Sequence, residues 1–287
     1  MAIIIRTLVI ALTLAFTGIH AQDFQGIATY KTQRQIDIKM DSTQVNNEMQ
    51  AQMMEMMKKQ FQKTYKLTFN KAASLYKEEE SLAKPQAAMG GEFQVVMVGA
   101  GGGSDVLYKN TKENRYADQK DTMGKMFLVK DEIEPIEWKL EADSKYIGEY
   151  QCYKATYTKM VEVFNESGFS IDDDDEKEEE EEKEPEMEER TITAWYTPQI
   201  PVNNGPAMYQ GLPGLILEIH DGKLTVICSK IVLNPEDKIE IKEPEKGKEV
   251  NQKKYDDITE KKAKEMMERY RPRKGREGES ISITIGG

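Results

Sequence analysis

Chemistry in this chain would have to be built from few reactive side chains. His220 is the only imidazole outside the first 21 residues, because the second of the two histidines is His20. Sites that need several histidine ligands are therefore excluded, and a hydroxyl–imidazole–carboxylate arrangement can form only around His220. Its acid would be Glu218 or Asp221, with a hydroxyl brought from elsewhere, and no nucleophile motif accompanies them; an exposed histidine beside a turn is the plainer reading. Cys152 and Cys228 are the only cysteines. In an oxidising compartment an even count makes one disulfide the simplest expectation, with two buried thiols as the alternative. Met49, Met53, Met54, Met56 and Met57 have the thioethers that suit Cu(I), yet their spacing is also that of a helix face packed into a core. Gly99-Ala-Gly101-Gly-Gly-Ser104 follows an apolar run as a dinucleotide loop would. The residues after it, Asp105-Val-Leu-Tyr, are strand-like, whereas that motif requires a helix opening there, so no cofactor is expected. The acidic tract lacks a glycine-centred loop with spaced ligands, and no tight metal site is expected from it.

The elements that must hold these residues are clearest from Thr191 to Ile231. Asp221-Gly222 separates two runs of alternating apolar residues, the strongest short-range hairpin signal. Pairing outward from that dipeptide predicts Ile219 opposite Leu224, Leu217 opposite Val226 and Leu215 opposite Cys228 on a buried face. His220 with Lys223 and Glu218 with Thr225 then fall on a solvated face. Upstream, Gly211-Leu212-Pro213-Gly214 reads as a tight turn in which Pro presets φ and Gly supplies positive φ. Trp195 and Tyr196 end a strand at Thr197-Pro198. With Tyr209 and the Gly-Leu-Pro-Gly turn they are either architecture or the mouth of a concave sheet that receives an apolar or peptide ligand.

Trp195-Tyr196-Thr197, Ile200-Pro201, Gly205-Pro206 and Gly211-Leu-Pro-Gly-Leu-Ile216 resemble the signature of the GLPGLI family, secreted proteins of Bacteroidetes-type bacteria. The resemblance extends through Leu67-Thr-Phe-Asn70, Ser74-Leu-Tyr-Lys77 and Ile147-Gly-Glu-Tyr-Gln-Cys152. Ala207 and Met208 stand where an aromatic residue is expected after Gly-Pro. The resemblance implies an exported protein and a fold; it brings no biochemical activity with it.

Export is also readable directly. Arg6, an apolar core from Leu8 to Phe16 and small residues up to Ala21 predict a signal peptide over 1–21, cleaved before Gln22. That apolar core is too short to span a bilayer and no later stretch reaches roughly 20 apolar residues, so no transmembrane segment is expected in the mature chain. The predicted location is the periplasm or the exterior. With 51 acidic against 40 basic residues and a pI near 5.0, nucleic acid is not a natural partner.

Period-2 patterns at Phe24–Lys39, Thr64–Phe69, Ser74–Lys77, Val106–Tyr108, Arg115–Ala117, Met126–Val129, Trp138–Leu140 and Gln151–Tyr157 predict an antiparallel meander. Asn47–Lys63 changes to helical spacing, and Asp256–Tyr270 predicts a second helix ahead of Pro272. Asp237–Pro244 and Lys248–Val250 are predicted edge strands. From Asp172 to Glu189 there are 14 acidic residues and 2 lysines, a formal −12 against −11 for the whole chain, so residues 171–189 are expected to be a disordered acidic loop. The predicted fold is one α+β, mainly β domain over 22–287: a curved antiparallel sheet or half-barrel, an amphipathic Met-rich helix packed against it and a C-terminal helix. The predicted function is a non-enzymatic envelope protein that binds a partner protein or an apolar or peptide ligand. A hydrolase around His220 and copper handling by the Met-rich helix are the alternatives.

Overall fold

The computed structural model describes residues 24–35, 62–79, 105–163, 186–237 and 239–270. Twelve strands form one open sheet: β1 Gln25–Arg34, β2 Thr64–Asn70, β3 Ala73–Glu78, β4 Val106–Asn110, β5 Arg115–Thr122, β6 Lys125–Glu132, β7 Lys139–Ile147, β8 Tyr150–Val163, β9 Glu186–Thr197, β10 Leu215–Asp221, β11 Leu224–Leu233 and β12 Lys248–Val250. Their spatial order is β12-β6-β5-β4-β3-β2-β1-β11-β10-β9-β8-β7. Every neighbouring pair is antiparallel except β12 with β6. The meander is thus two runs of consecutive strands, joined where β1 pairs with β11. Among the described residues the sheet does not close into a barrel, leaving β12 and β7 as its two edges.

Local turn chemistry explains the consecutive pairings. Asn70 accepts from the amides of Ala72 and Ala73 at 2.8 Å each and reverses the chain between β2 and β3. Asp121 accepts from Gly124 N at 3.0 Å, and Gly124 takes the positive φ that the β5–β6 turn requires. In the β10–β11 hairpin the register differs from the sequence expectation. Ile219 faces Val226, His220 faces Thr225 and Asp221 faces Leu224, so the loop residues are Gly222 and Lys223 rather than Asp221 and Gly222. The slip is by two positions, and because side chains alternate with period 2 Ile219 keeps its expected face; a register shift between Ile216 and Glu218 then sets Ile216 opposite Tyr196.

The inner face of the sheet carries the main core. Tyr30, Leu67, Phe69, Tyr76, Leu107, Ala155, Ile192, Ala194 and Ile219 are buried there. Tyr65 stacks on Tyr76 at 4.8 Å, and Tyr30, wholly buried, donates its hydroxyl to Ile216 O at 2.6 Å. Two elements cover this face. The chain between β9 and β10 crosses one half, and helix α1, Gln252–Tyr270, lies against β5 and β6 through Tyr255. Asn251 caps α1 by accepting from Lys254 N at 3.1 Å, which starts the helix four residues before the predicted Asp256. A smaller cluster of Ala73, Tyr108, Ala117 and Leu128 lies on the outer face under Ile241.

Two of the predicted boundaries need correction. Asp237–Pro244 supplies no strand among its described residues, because its apolar residue Ile241 is used as a cover over the outer cluster. Lys248–Val250 does form a strand, parallel to β6. Glu186–Glu189, assigned above to the acidic loop, begins β9 and pairs with Met160–Val163 of β8. The predicted signal peptide, the Met-rich stretch as far as Phe61, the Gly-rich segment and acidic residues 171–185 lie outside the described residues. Chain segments 36–61, 80–104 and 164–185 all join the sheet at one end; the β9–β10 loop leaves from the other.

Candidate recognition site at the β9–β10 loop

Residues 198–214 pass from the end of β9 to the start of β10 by folding onto the inner face. Ile200, Val202 and Leu212 are buried, as are Asn204 and Gln210. Buried backbone must find partners, and here it does. Leu215 N donates to Ile200 O and Ile216 N to Asn204 O, both at 3.0 Å, and Gly214 N donates to Leu212 O at 2.8 Å. Asn203 Oδ1 accepts from Gly211 N, and Trp138 Nε1 donates to Gln210 O at 2.8 Å. The glycines are steric necessities at two positions. A Cβ on Gly214 would overlap the Thr197 carbonyl, and one on Gly205 would lie 2.8 Å from Ile216 Cβ.

The deepest fastening is Lys109 of β4. Its side chain is wholly buried, and Nζ donates to Gly205 O and Tyr209 O at 3.1 Å each. Burial with no anionic partner lowers its pKa from 10.5 to about 7. Its cross-strand neighbour Ser74 is also wholly buried, with an Oγ that has no hydrogen-bond partner. At the far side of the loop Tyr209 donates to Asp221 Oδ2 at 2.7 Å, and Lys159 donates to the same oxygen at 2.8 Å. Arg190 lies 3.7 Å from Asp221 Oδ1. Burial pushes the Asp221 carboxyl up, but the bonds from Lys159 and Tyr209 and the nearby cations outweigh it and hold the group below its ordinary value. Burial and that carboxylate together raise the Tyr209 phenol far above its own. Lys109 was missed in the sequence; the available signal was a lysine two residues from Leu107, on the inward parity of a strand.

The residues expected to form one aromatic lip are divided between two faces. Tyr196 is buried on the inner face with its ring 6.3 Å from Tyr153, and Tyr209 is half-buried nearby on Asp221. Leu212 and Gly214 are buried, Gly211 lies against Trp138, and Gly211 and Pro213 keep exposed surfaces. Trp195, one residue from Tyr196, is on the outer face with Lys145 Nζ 4.4 Å above its ring. What the loop leaves accessible is a rim made by Pro198, Gln199, Pro201, Asn203, Met208, Gly211 and Pro213.

Around Trp195 the outer face holds the imidazole. Glu218 was expected to face water opposite Thr225; the slipped register sets it opposite Ile227 instead, and it is buried with Lys145 of β7 donating to its Oε1 at 2.7 Å. His220 Nε2 meets the same oxygen, and His220 Nδ1 is 3.2 Å from Thr225 Oγ1. A hydroxyl, an imidazole and a carboxylate are thus in line. Asp221, the other acid considered, serves the loop instead. Thr225 is paired with His220 on one side and Gln33 on the other, which commits the backbone around it to the sheet.

The two cysteines of the expected bridge are free thiols. Cys152 on β8 and Cys228 on β11 belong to strands separated by β9 and β10, and their sulfurs lie 3.6 Å from Tyr150 O and 3.5 Å from Lys230 O. Burial raises them to about 11 and about 12. They behave as small apolar core residues with little thiolate character.

Residues 138–218 match a family model. Its description is "Protein of unknown function (Porph_ging)", and the matched span holds β7, β8, β9, the whole loop and the start of β10. No curated protein matches the chain. Two solved structures of PNGF-II, in C2 and P21 space groups, are similar to it at 14% and 15% identity, with TM-scores of 0.45 and 0.44. Each comparison covers 83% of this chain but 33% of the other, so the chain spans about a third of their length. Among the described residues no helix is long and apolar enough to cross a membrane.

Proposed function

We propose that this is an exported, non-enzymatic protein of the cell envelope, of the GLPGLI kind, that recognises a partner protein through the rim of the β9–β10 loop. The observation that carries the reading is Lys109. Burying an ammonium on two carbonyls is less favourable than filling the same space with an apolar side chain, and such costs are retained where they fix a geometry that matters. Lys109 fixes Gly205 and Tyr209, and so the loop whose tips Met208, Gly211 and Pro213 remain accessible. A rim fixed before binding loses little conformational entropy on meeting its partner. The test replaces Met208 with a photo-crosslinking residue in the native host. One discrete adduct that disappears in Lys109→Met, with the variant still folded and exported, supports the reading; no adduct, or the same adduct in the variant, contradicts it.

A second reading is favoured by one observation, the alignment of Thr225, His220 and Glu218. It makes the outer face a hydrolase site in which His220 takes the proton of Thr225. Lys145 already neutralises Glu218, and the sheet pairing of Thr225 leaves no freely aimed amides for an oxyanion, which ranks it second. Hydrolysis of activated esters by the purified protein, lost in both His220→Ala and Thr225→Val, would promote it above the first.

A further inference from the structure

We infer that β7 is the seam of a symmetric dimer, in which two copies of this chain continue their sheets into each other. β7 is the last strand on its side and pairs only with β8 among the described residues, so its outer edge presents unused backbone donors and acceptors. Two large apolar side chains on this nine-residue strand are left in water: Leu140 is 56% exposed and Tyr146 is 71% exposed. Both stand on the inner-face side of the strand, which is the arrangement a further strand would cover.

The sequence of β7 is complementary to itself in one antiparallel register. With the two-fold axis at Asp143, Leu140 of one copy meets Tyr146 of the other and Glu141 meets Lys145, each pair occurring twice by symmetry, against a single like-charge contact of Asp143 with its own copy on the axis. Face by face the match also holds. Glu141 receives Lys154 at 2.8 Å and Lys145 reaches Glu218 at 2.7 Å, both on the outer face, so the seam would extend an alternating ladder Lys154, Glu141, Lys145, Glu218 across two chains. Shifting the register by two toward the amino terminus sets Lys139 against Lys145 and loses the Leu–Tyr contact. Charged residues and the irregularity between Leu140 and Ser144 are also devices that keep an edge unpaired. The exposed Leu140 and Tyr146 argue the other way, since they are what a protective edge omits. A nine-residue strand buries less than a standard interface, so the dimer is weak and concentration-dependent.

Sedimentation equilibrium of the mature protein tests the inference. A doubling of mass as concentration rises is expected, abolished by Leu140→Lys/Tyr146→Lys. Asp143→Cys fixes the register: under mild oxidation it yields a covalent dimer, while the buried Cys152 and Cys228 leave the parent chain uncrosslinked. A monomer at all concentrations up to roughly 0.1 mM, a range that detects affinities well above the micromolar, overturns the inference. So does a dimer untouched by the double lysine variant. Neither result bears on the β9–β10 rim, whose crosslinking is read separately.

Discussion

Lys109 holds the β9–β10 loop by two carbonyls, and its burial has a measurable signature. Its pKa falls from 10.5 unfolded to about 7 folded. Below pH 7 the ammonium is present in both states and the fold bears its burial. Between about 7 and 10.5 the unfolded chain holds the extra proton, so stability must rise with pH, by at most about 1.4 kcal/mol per pH unit. Lys109→Met removes that slope: urea unfolding at pH 7 and 9.5 should show a difference between parent and variant that closes as pH rises. At Gly214 the constraint is steric. Gly214→Ala pushes a methyl group into the Thr197 carbonyl and should cost more than about 2 kcal/mol in the same assay. The cysteines give a third test. Unfolding without reductant should expose two titratable thiols per chain, none of them fast in the native protein; none after unfolding would establish a bridge instead.

At the level of elements, the strands were legible because alternation and turn residues agreed along them. Asn70, Gly124 and Gly222 each mark a reversal that the structure contains. What could not be read was determined by contacts distant in sequence. Glu218 sits on a parity that looks solvated until Lys145, 73 residues away, closes over it. Lys109 looks like a strand lysine until the β9–β10 loop, 96 residues on, supplies its carbonyls. The hairpin slip arose because Gly222-Lys223 and Asp221-Gly222 bury the same apolar set, so patterning alone cannot separate them. Helix α1 offers a test at this scale. Tyr255 packs on Phe127 with centroids 5.7 Å apart, lies under Lys120 and meets Thr122 Oγ1 at 2.8 Å. Tyr255→Ala should loosen the helix at a cost of about 2 kcal/mol and raise protease cleavage within 252–270.

For the whole molecule, the connections of the described strands sort to the two ends of the sheet. At one end lie the C-termini of β1, β3 and β8 and the N-termini of β2, β4 and β9. The other carries the β9–β10 loop, fastened from β4 by Lys109, from the segment before β7 by Trp138 and from β10 by Asp221. A surface held from three sides is the basis of the proposed recognition role, since a loop fixed before binding loses little entropy on meeting a partner. Hydrogen exchange on the amides of Gly214, Leu215 and Ile216 tests this most directly. If the loop is fastened as described, all three exchange about as slowly as core amides of β10, and Lys109→Met speeds them selectively; exchange at the rate of an open surface loop in the parent protein would contradict the account.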